Sequence, residues 1–372
     1  MISLVAGTRP NFMKVAPIRR ELLARGIPSR LIHTGQHFDA SMSDVFFEDL
    51  RMAAPDVMLH VGGGTHAQQT AAVLVGVENE LLVHRPHVLV VVGDVTSTLA
   101  AALAASKLGI KIAHVEAGLR SRDWTMPEEI NRVLTDQLSD LLLVPSHDAP
   151  ANLLREGVDK ERIVFVGNVM IDSLYDARSR SNGILERFDV QTGAYALATL
   201  HRPANVDSPS AFEALIAGVQ AVARVLPVLF PVHPRTMARA ESFGLASRLR
   251  SISEVRLLDP LGYLDCVGLM SNAKFVATDS GGIQEETTAL GVPCLTLREG
   301  TERPITVTEG TNTVVGLNPE RIFAEATQIR EGHAKRGRVP EGWDGKAAGR
   351  IVDALVRLMD GSPPAKLAEA RA

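Results

Sequence analysis

Residues 275–293 read Phe275-Val276-Ala277-Thr278-Asp279-Ser280-Gly281-Gly282-Ile283-Gln284-Glu285-Glu286-Thr287-Thr288-Ala289-Leu290-Gly291-Val292-Pro293. A short apolar run, a Gly-rich turn and an amphipathic stretch closed by Gly and Pro predict a strand, a turn and a helix in that order. A helix start carries unpaired backbone N–H groups and the positive end of the dipole, and glycines there let a ligand approach the backbone. The natural occupant is an anion such as a phosphate. Glu286 lies about one turn into the helix, where its carboxylate can accept from sugar hydroxyls. The same order also describes a plain capped helix after a buried strand, so the rest of the chain has to decide.

Outward from this stretch the same unit recurs. Ile2 to Ala6 is an apolar run followed by Gly7-Thr8-Arg9-Pro10 and a helical pattern that carries Lys14 and stops at Gly26. Val88 to Val92 ends at Gly93-Asp94, and Lys111 to Val115 ends at Glu116-Ala117-Gly118. Met126-Pro127-Glu128-Glu129 reads as a helix start, with Pro and acids in the first turn. The alternation restarts with Tyr195 to Leu200 before His201-Arg202-Pro203, then Val228 to Val232 before His233-Pro234. Strands alternating with helices predict parallel, doubly wound α/β sheets, here two Rossmann-like domains facing one another across a cleft. The expected division is 1–168, 169–345, a C-terminal helix over 346–362 packing back on the first domain, and a flexible tail over 363–372. Arg178 to Gly183 reads as the linker or a surface loop, Thr96-Ser97-Thr98 as a helix cap, and Gly62-Gly63-Gly64-Thr65-His66 as a flexible cleft loop.

A chain of 372 residues is long for one core, and 45% hydrophobic with 22% charged residues describes an ordinary globular protein. A net charge of −4 argues against general nucleic-acid binding. The two cysteines, Cys266 and Cys294, have no Cys or His partner at metal-ligand spacing, so neither a disulfide scaffold nor a zinc site is expected. No apolar run approaches a membrane span, and the N-terminus lacks a basic leader, so a cytoplasmic protein is expected.

Ligands of open parallel sheets bind beyond the carboxyl ends of the strands, and Arg9, Asp94, Glu116, His201, His233 and Asp279 all fall there. Arg9, Lys14, His201 and Arg303 suit a phosphate dianion, whereas Asp94, Glu116 and Glu128 suit proton transfer. Of Glu128 and Glu129, adjacent on a helix, only one can face the cleft.

These stretches, with His114-Val115-Glu116-Ala117-Gly118-Leu119-Arg120, Pro127-Glu128-Glu129-Ile130-Asn131-Arg132 and Thr301-Glu302-Arg303-Pro304, closely resemble the non-hydrolysing UDP-N-acetylglucosamine 2-epimerases from residue 2 to about residue 360. The resemblance implies a GT-B-like twin-Rossmann fold, a homodimer, no cofactor and no metal. It implies reversible inversion at C2 of UDP-GlcNAc to UDP-ManNAc, by elimination of UDP to a 2-acetamidoglucal and re-addition. Asp94, Glu116 and Glu128 match the catalytic carboxylates; Arg9, Lys14 and His201 match groups that hold or polarise the phosphates, His201 being counted with the catalytic set as well. Ser280, Gly281 and Gly282 match the phosphate-binding helix start, Glu286 the ribose contact, and Arg303 another nucleotide-side position. Related substrates remain open: a UDP-2,3-diacetamido sugar acid, a hydrolysing 2-epimerase, a GT-B glycosyltransferase or a nucleotide-sugar sensor.

The chain departs from the resemblance twice. Cys266 stands where many relatives place an aromatic beside the uracil, which leaves that base to backbone contacts or a weaker stack. Phe38-Asp39-Ala40-Ser41-Met42 replaces the Arg-Glu-Met-Leu pattern of relatives activated by their own substrate, which argues against such activation here.

Overall fold

A computed structural model of the chain describes residues 1–35 and 47–362. The segment after Gln36-His37 and the tail beyond residue 362 lie outside the described residues. The chain forms two compact units, one of Met1–Tyr175 with Glu341–Ala372 and one of Asp176–Pro340.

The first unit is built on seven parallel strands, β1 (Ile2–Ala6), β2 (Ser29–His33), β3 (Val57–Met58), β4 (Val88–Val92), β5 (Lys111–Val115), β6 (Leu141–Val144) and β7 (Ile163–Phe165), in the order β3-β2-β1-β4-β5-β6-β7. Every residue of β1, β4 and β6 is buried, as expected of strands covered on both faces. The second unit has six parallel strands, β8 (Ala196–Thr199), β9 (Val228–Pro231), β10 (Val255–Leu258), β11 (Phe275–Thr278), β12 (Cys294–Thr296) and β13 (Asn312–Val314), in the order β10-β9-β8-β11-β12-β13. Each is a doubly wound, Rossmann-like sheet.

The strand order reverses between β1 and β4 in the first unit and between β8 and β11 in the second. Such reversal points open a crevice beyond the strand ends, because the flanking connections leave on opposite faces. The first crevice receives the Gly7–Arg9 and Gly93–Asp94 turns, and the second receives His201-Arg202 and Asp279-Ser280. Asn11 ties the first pair together. Its Oδ1 accepts from the N–H groups of Gly7 and Thr8 at 3.0 and 3.1 Å, while its Nδ2 donates to Val92 O at 3.2 Å.

Local structure departs from the sequence reading at several points. Arg178 to Arg180 are the last residues of the helix Met170–Arg180, not a linker. The Asp176–Arg180 ion pair at 2.8 Å, one helical turn apart, explains how an exposed helical face imitates a loop in composition. Val95, not Thr96, caps the helix Thr96–Lys107, and Thr98 Oγ1 instead donates to Val92 O at 2.8 Å. Thr65 makes a capping box with Gln68 at the start of the helix His66–Val83, so the Gly62–Gly64 run leads into an ordered cap. Cys266 lies within the helix Tyr263–Asn272.

The units also divide elsewhere than at 168/169 and 345/346. Glu341 onward packs with the first unit because Trp343, 1% exposed, buries its ring there and donates from Nε1 to Pro145 O at 3.0 Å. The helix Ala347–Met359 follows, its first N–H groups received by the Asp172 carboxylate at 3.1 and 2.8 Å, and its Asp353 pairs with Arg25 of the helix Arg9–Ala24 at 2.5 Å. Trp343→Ala should cost the first unit about 3–5 kcal/mol and open the chain to limited proteolysis near residue 340. Unchanged melting and protease resistance would show that the tryptophan does not anchor this return.

Candidate functional site

In the first unit, β1 delivers the turn that starts the helix Arg9–Ala24. Arg9 is its first residue and is half-buried, and Lys14 one turn later is 7% exposed. The Lys14 ammonium forms an ion pair with Glu116, which is 8% exposed at the end of β5. Glu116 sits at φ +72°, left-handed backbone that a non-glycine residue adopts at a cost of about 1–3 kcal/mol. Strain of this kind at a strand end aims a side chain that ordinary geometry would send elsewhere.

Asp94 follows β4 and is half-buried. Arg132 Nε and Nη2 reach its Oδ2 at 3.0 and 2.9 Å, and Asn131 Nδ2 donates to its backbone carbonyl at 2.8 Å. Both donors come from the helix Pro127–Leu138, which also carries Glu128 and Glu129. That helix separates the two neighbouring acids. Glu129 is 1% exposed and spends its oxygens on Arg132, the N–H groups of Ser121 and Arg122, and Ser121 Oγ. Burial works to raise the Glu129 pKa, but those N–H groups and the Arg132 charge prevail and hold it below the usual carboxylate range. Glu128 keeps an open side.

The second unit gathers guanidinium groups where the first gathers acids. Ser280 is the N-cap of the helix Gly281–Leu290 and makes no side-chain cap bond, so the helix start stays available to an anion. Beside it Glu302 and Glu285, 1% and 2% exposed, meet three guanidinium groups: Arg298 at 2.8 Å, Arg303 at 3.0 and 3.1 Å, and Arg202 at 3.3 Å. Burial alone would raise the Glu302 pKa, yet Arg303, Arg298 and Arg202 drive it far below the ordinary value. With the buried Asp279 just before Ser280, three guanidinium groups stand against three carboxylates at this turn. Gly281 is required there, since a Cβ would lie 2.6 Å from Glu302 Oε1 and 3.1 Å from Arg303 Nη1. That glycine admits the protein's own ion pair.

Asp279, fully buried, accepts from His201 N at 3.1 Å, Arg202 N at 2.9 Å and Asn205 Nδ2 at 3.0 Å, and its Oδ1 stands 3.4 Å from His201 Nδ1. It thereby fixes the turn that presents His201. The imidazole is half-exposed; burial by dense surroundings lowers its pKa, Asp279 opposes the shift, and Arg202 and Arg235 reinforce it. Glu286 is 4% exposed and accepts from Tyr263 Oη at 2.8 Å. Burial, then Glu285, push it up to about 7, against the Tyr263 hydrogen bond. Cys266, near this pair, is pushed up to about 12 by burial and then by Glu286 and Asp265, which keeps it a neutral thiol.

The structure thus gathers Lys14, Glu116, Asp94 and Glu128 at the strand ends of the first unit, and Ser280, Gly281, Gly282, Arg303, His201, Glu286 and Cys266 at those of the second. Sequence reasoning missed Arg132 as the partner of Asp94, Asp279 as the anchor of His201, and the Glu302–Arg298–Arg202 cluster. The first had a readable trace, the Glu129–Arg132 spacing on one helix. Arg298 and Glu302 are likewise only four residues apart, whereas Asp279–His201 and Glu302–Arg202 pair residues 78 and 100 positions apart.

A Rossmann-like pair with an anion-ready helix start and strand-end carboxylates defines an enzyme of nucleotide-linked substrates. The UDP-N-acetylglucosamine 2-epimerase family matches residues 20–356, and the chain belongs to that family. It is 42% identical to the UDP-N-acetylglucosamine 2-epimerase of Methanocaldococcus jannaschii over 361 residues, 95% of this chain and 98% of that one. It is equally 42% identical to the UDP-2,3-diacetamido-2,3-dideoxy-D-glucuronate 2-epimerase of Pseudomonas aeruginosa, over 96% of this chain and 99% of that one. The crystal structure of the M. jannaschii enzyme in complex with UDP-GlcNAc and UDP aligns with a TM-score of 0.89 at 41% identity, covering 95% and 99% of the two chains.

Glu286 offers a pH test. The native group keeps its proton up to about 7, whereas an unfolded glutamate releases it near roughly 4.3. The native state therefore binds the extra proton between these values, and stability falls as pH rises through that window. Glu286→Gln should gain about 3–4 kcal/mol on the wild type between about pH 4 and pH 8, read from urea melts at both. A difference independent of pH would overturn the assignment.

Proposed function

We propose that the chain inverts the configuration at C2 of UDP-GlcNAc, reversibly giving UDP-ManNAc. The C2 proton is not adjacent to a carbonyl, so its direct removal by a carboxylate is strongly uphill. As the C1–O bond weakens, C1 becomes electron-deficient and the C2 proton acidic. A carboxylate takes that proton, the C–H pair becomes the C1=C2 bond of a 2-acetamidoglucal, and UDP leaves with the C1–O pair. In the return step a UDP oxygen rebonds to C1 and a proton reaches the opposite face of C2.

The observation that carries this reading is the contrast between the two strand-end clusters. The second unit offers what departing UDP needs: a helix start, the guanidinium groups of Arg202, Arg298 and Arg303, and His201 held by Asp279. Arg9 and Lys14 are assigned to the phosphates as well, Glu286 to the ribose and Cys266 to the uracil side. The first unit offers the acids. Glu116 pairs with Lys14, Asp94 is oriented by Arg132, and Glu128 remains open. The chain's equal identity to a diacetamido-glucuronate epimerase favours one second reading, the same chemistry on a UDP-linked diacetamido uronate.

A homodimer in the cytoplasm completes the proposal. Val75, Leu82 and Val83 of the helix His66–Val83, and Ile130 and Leu134 of the helix Pro127–Leu138, are exposed apolar residues. The helix Thr96–Lys107 packs against both helices. The double variant Val75→Glu/Leu134→Glu should run as a monomer in light scattering where the wild type runs as a dimer. A wild-type monomer would refute the dimer.

Proton NMR of UDP-GlcNAc incubated with the enzyme in D2O should show deuterium at C2 of both epimers with the nucleotide retained. Accumulation of free ManNAc and UDP would refute the non-hydrolysing reading, and faster exchange on the diacetamido uronate would select the second substrate. Asp94→Asn should lower turnover by about 1,000-fold or more and leave UDP affinity, measured calorimetrically, little changed. Wild-type turnover in that variant would remove Asp94 from the mechanism.

A further inference from the structure

Within the first unit, two fully buried groups outside the proposed carboxylate set connect the turns that carry it. His114 on β5 and Asp136 on the helix Pro127–Leu138 are both 0% exposed and pair through Nδ1 and Oδ1 at 2.6 Å. We propose that the His114–Asp136 pair positions Asp94 and Glu116 together, locking both strand-end turns into one geometry. The inference rests on the proton-transfer roles given above to those two carboxylates.

The other ring nitrogen of His114, Nε2, stands 2.8 Å from Gly93 O. A carbonyl oxygen only accepts, so Nε2–H is the donor. Gly93 N in turn donates to Val115 O at 3.0 Å, so the residue preceding Asp94 is held on both sides by β5. Gly93 adopts φ +66°, and a Cβ there would lie 3.1 Å from Lys14 Nζ and 3.4 Å from Asn11 Nδ2. The orientation of its carbonyl therefore sets the direction in which Asp94 leaves the strand.

Asp136 secures the second turn. Its Oδ2 accepts from Gly118 N at 3.1 Å, two residues past Glu116. Glu116 and Gly118 both have left-handed backbone, at φ +72° and +80°, so local preference does not hold this turn. Arg120 completes the charge balance, its Nη2 lying 2.7 Å from Asp136 Oδ2 and 2.6 Å from Glu156 Oε2. An ordinary buried hydrogen-bonded pair stabilises the core around it. This one spends its outward bonds on the two turns that present Asp94 and Glu116.

The test compares His114→Leu, which deletes the donor to Gly93, with His114→Gln, which keeps an amide donor, and with Asp136→Asn. Catalytic groups displaced by about 1 Å lose on the order of 100-fold in rate, so His114→Leu should lower kcat by about that factor while KM and UDP affinity stay near wild type. His114→Gln should recover at least about tenfold of the loss. A purely structural pair would instead lower melting temperature and UDP affinity with kcat per folded site intact, and that result overturns the proposal. Crystal structures of His114→Leu and Asp136→Asn supply a readout independent of turnover. The brace predicts that Glu116 leaves the left-handed region or that Gly93 O rotates in at least one of them; unchanged turns in both overturn it. Absence of C2 exchange in the wild-type enzyme would strike the proposed reaction, while the two variant structures would still decide the brace.

Discussion

Burying a carboxylate costs several kcal/mol unless cations or hydrogen-bond donors meet it, and the strand ends of both units are arranged around that cost. Glu116 is met by Lys14, Glu129 by Arg132 and two backbone N–H groups, and Asp136 by His114, Arg120 and Gly118 N. Glu302 is met by three guanidinium groups, and Asp279 by two backbone N–H groups and an amide. Each pairing that satisfies a buried charge also fixes the direction of a neighbouring side chain. Charge satisfaction and preorganisation are here the same set of bonds.

The two units use this constraint to opposite ends. In the first, the acids outnumber their neighbours at the strand tips, and Asp94 and Glu128 retain open sides suited to exchanging a proton. In the second, three guanidinium groups gather beside a helix start, which suits a group that departs as an anion. Both clusters occupy the reversal points β1/β4 and β8/β11, where the parallel sheet leaves room without sacrificing a strand. One topology, repeated, carries two different sets of strand-end side chains.

The neutral groups follow the same logic. Glu286, kept protonated up to about 7 by burial, shares a hydrogen bond with Tyr263, and the Cys266 thiol beside them is held far from ionisation. This neutral pair contrasts with the Arg303 cluster, which meets Glu285, the preceding residue of the same helix. A ligand with a charged middle and a neutral flank fits that gradient.

Much of this was determined by the sequence alone. The apolar runs of β1, β4 and β11, each followed by Gly and a polar residue, are local signals, because strand burial and turn chemistry are written in neighbouring positions. The strand-end residues Arg9, Asp94, Glu116, His201 and Asp279 were legible for the same reason, since topology alone puts them there. Only the tertiary structure decided which of Glu128 and Glu129 is consumed internally, that Arg132 orients Asp94, and that Glu341 onward belongs with the first unit. It alone revealed that Asp279 carries His201 and that Asp136 reaches Gly118. Those facts depend on which donor arrives beside a buried charge from a distant part of the chain. Periodicity records the face a residue occupies; only packing supplies the partner that faces it.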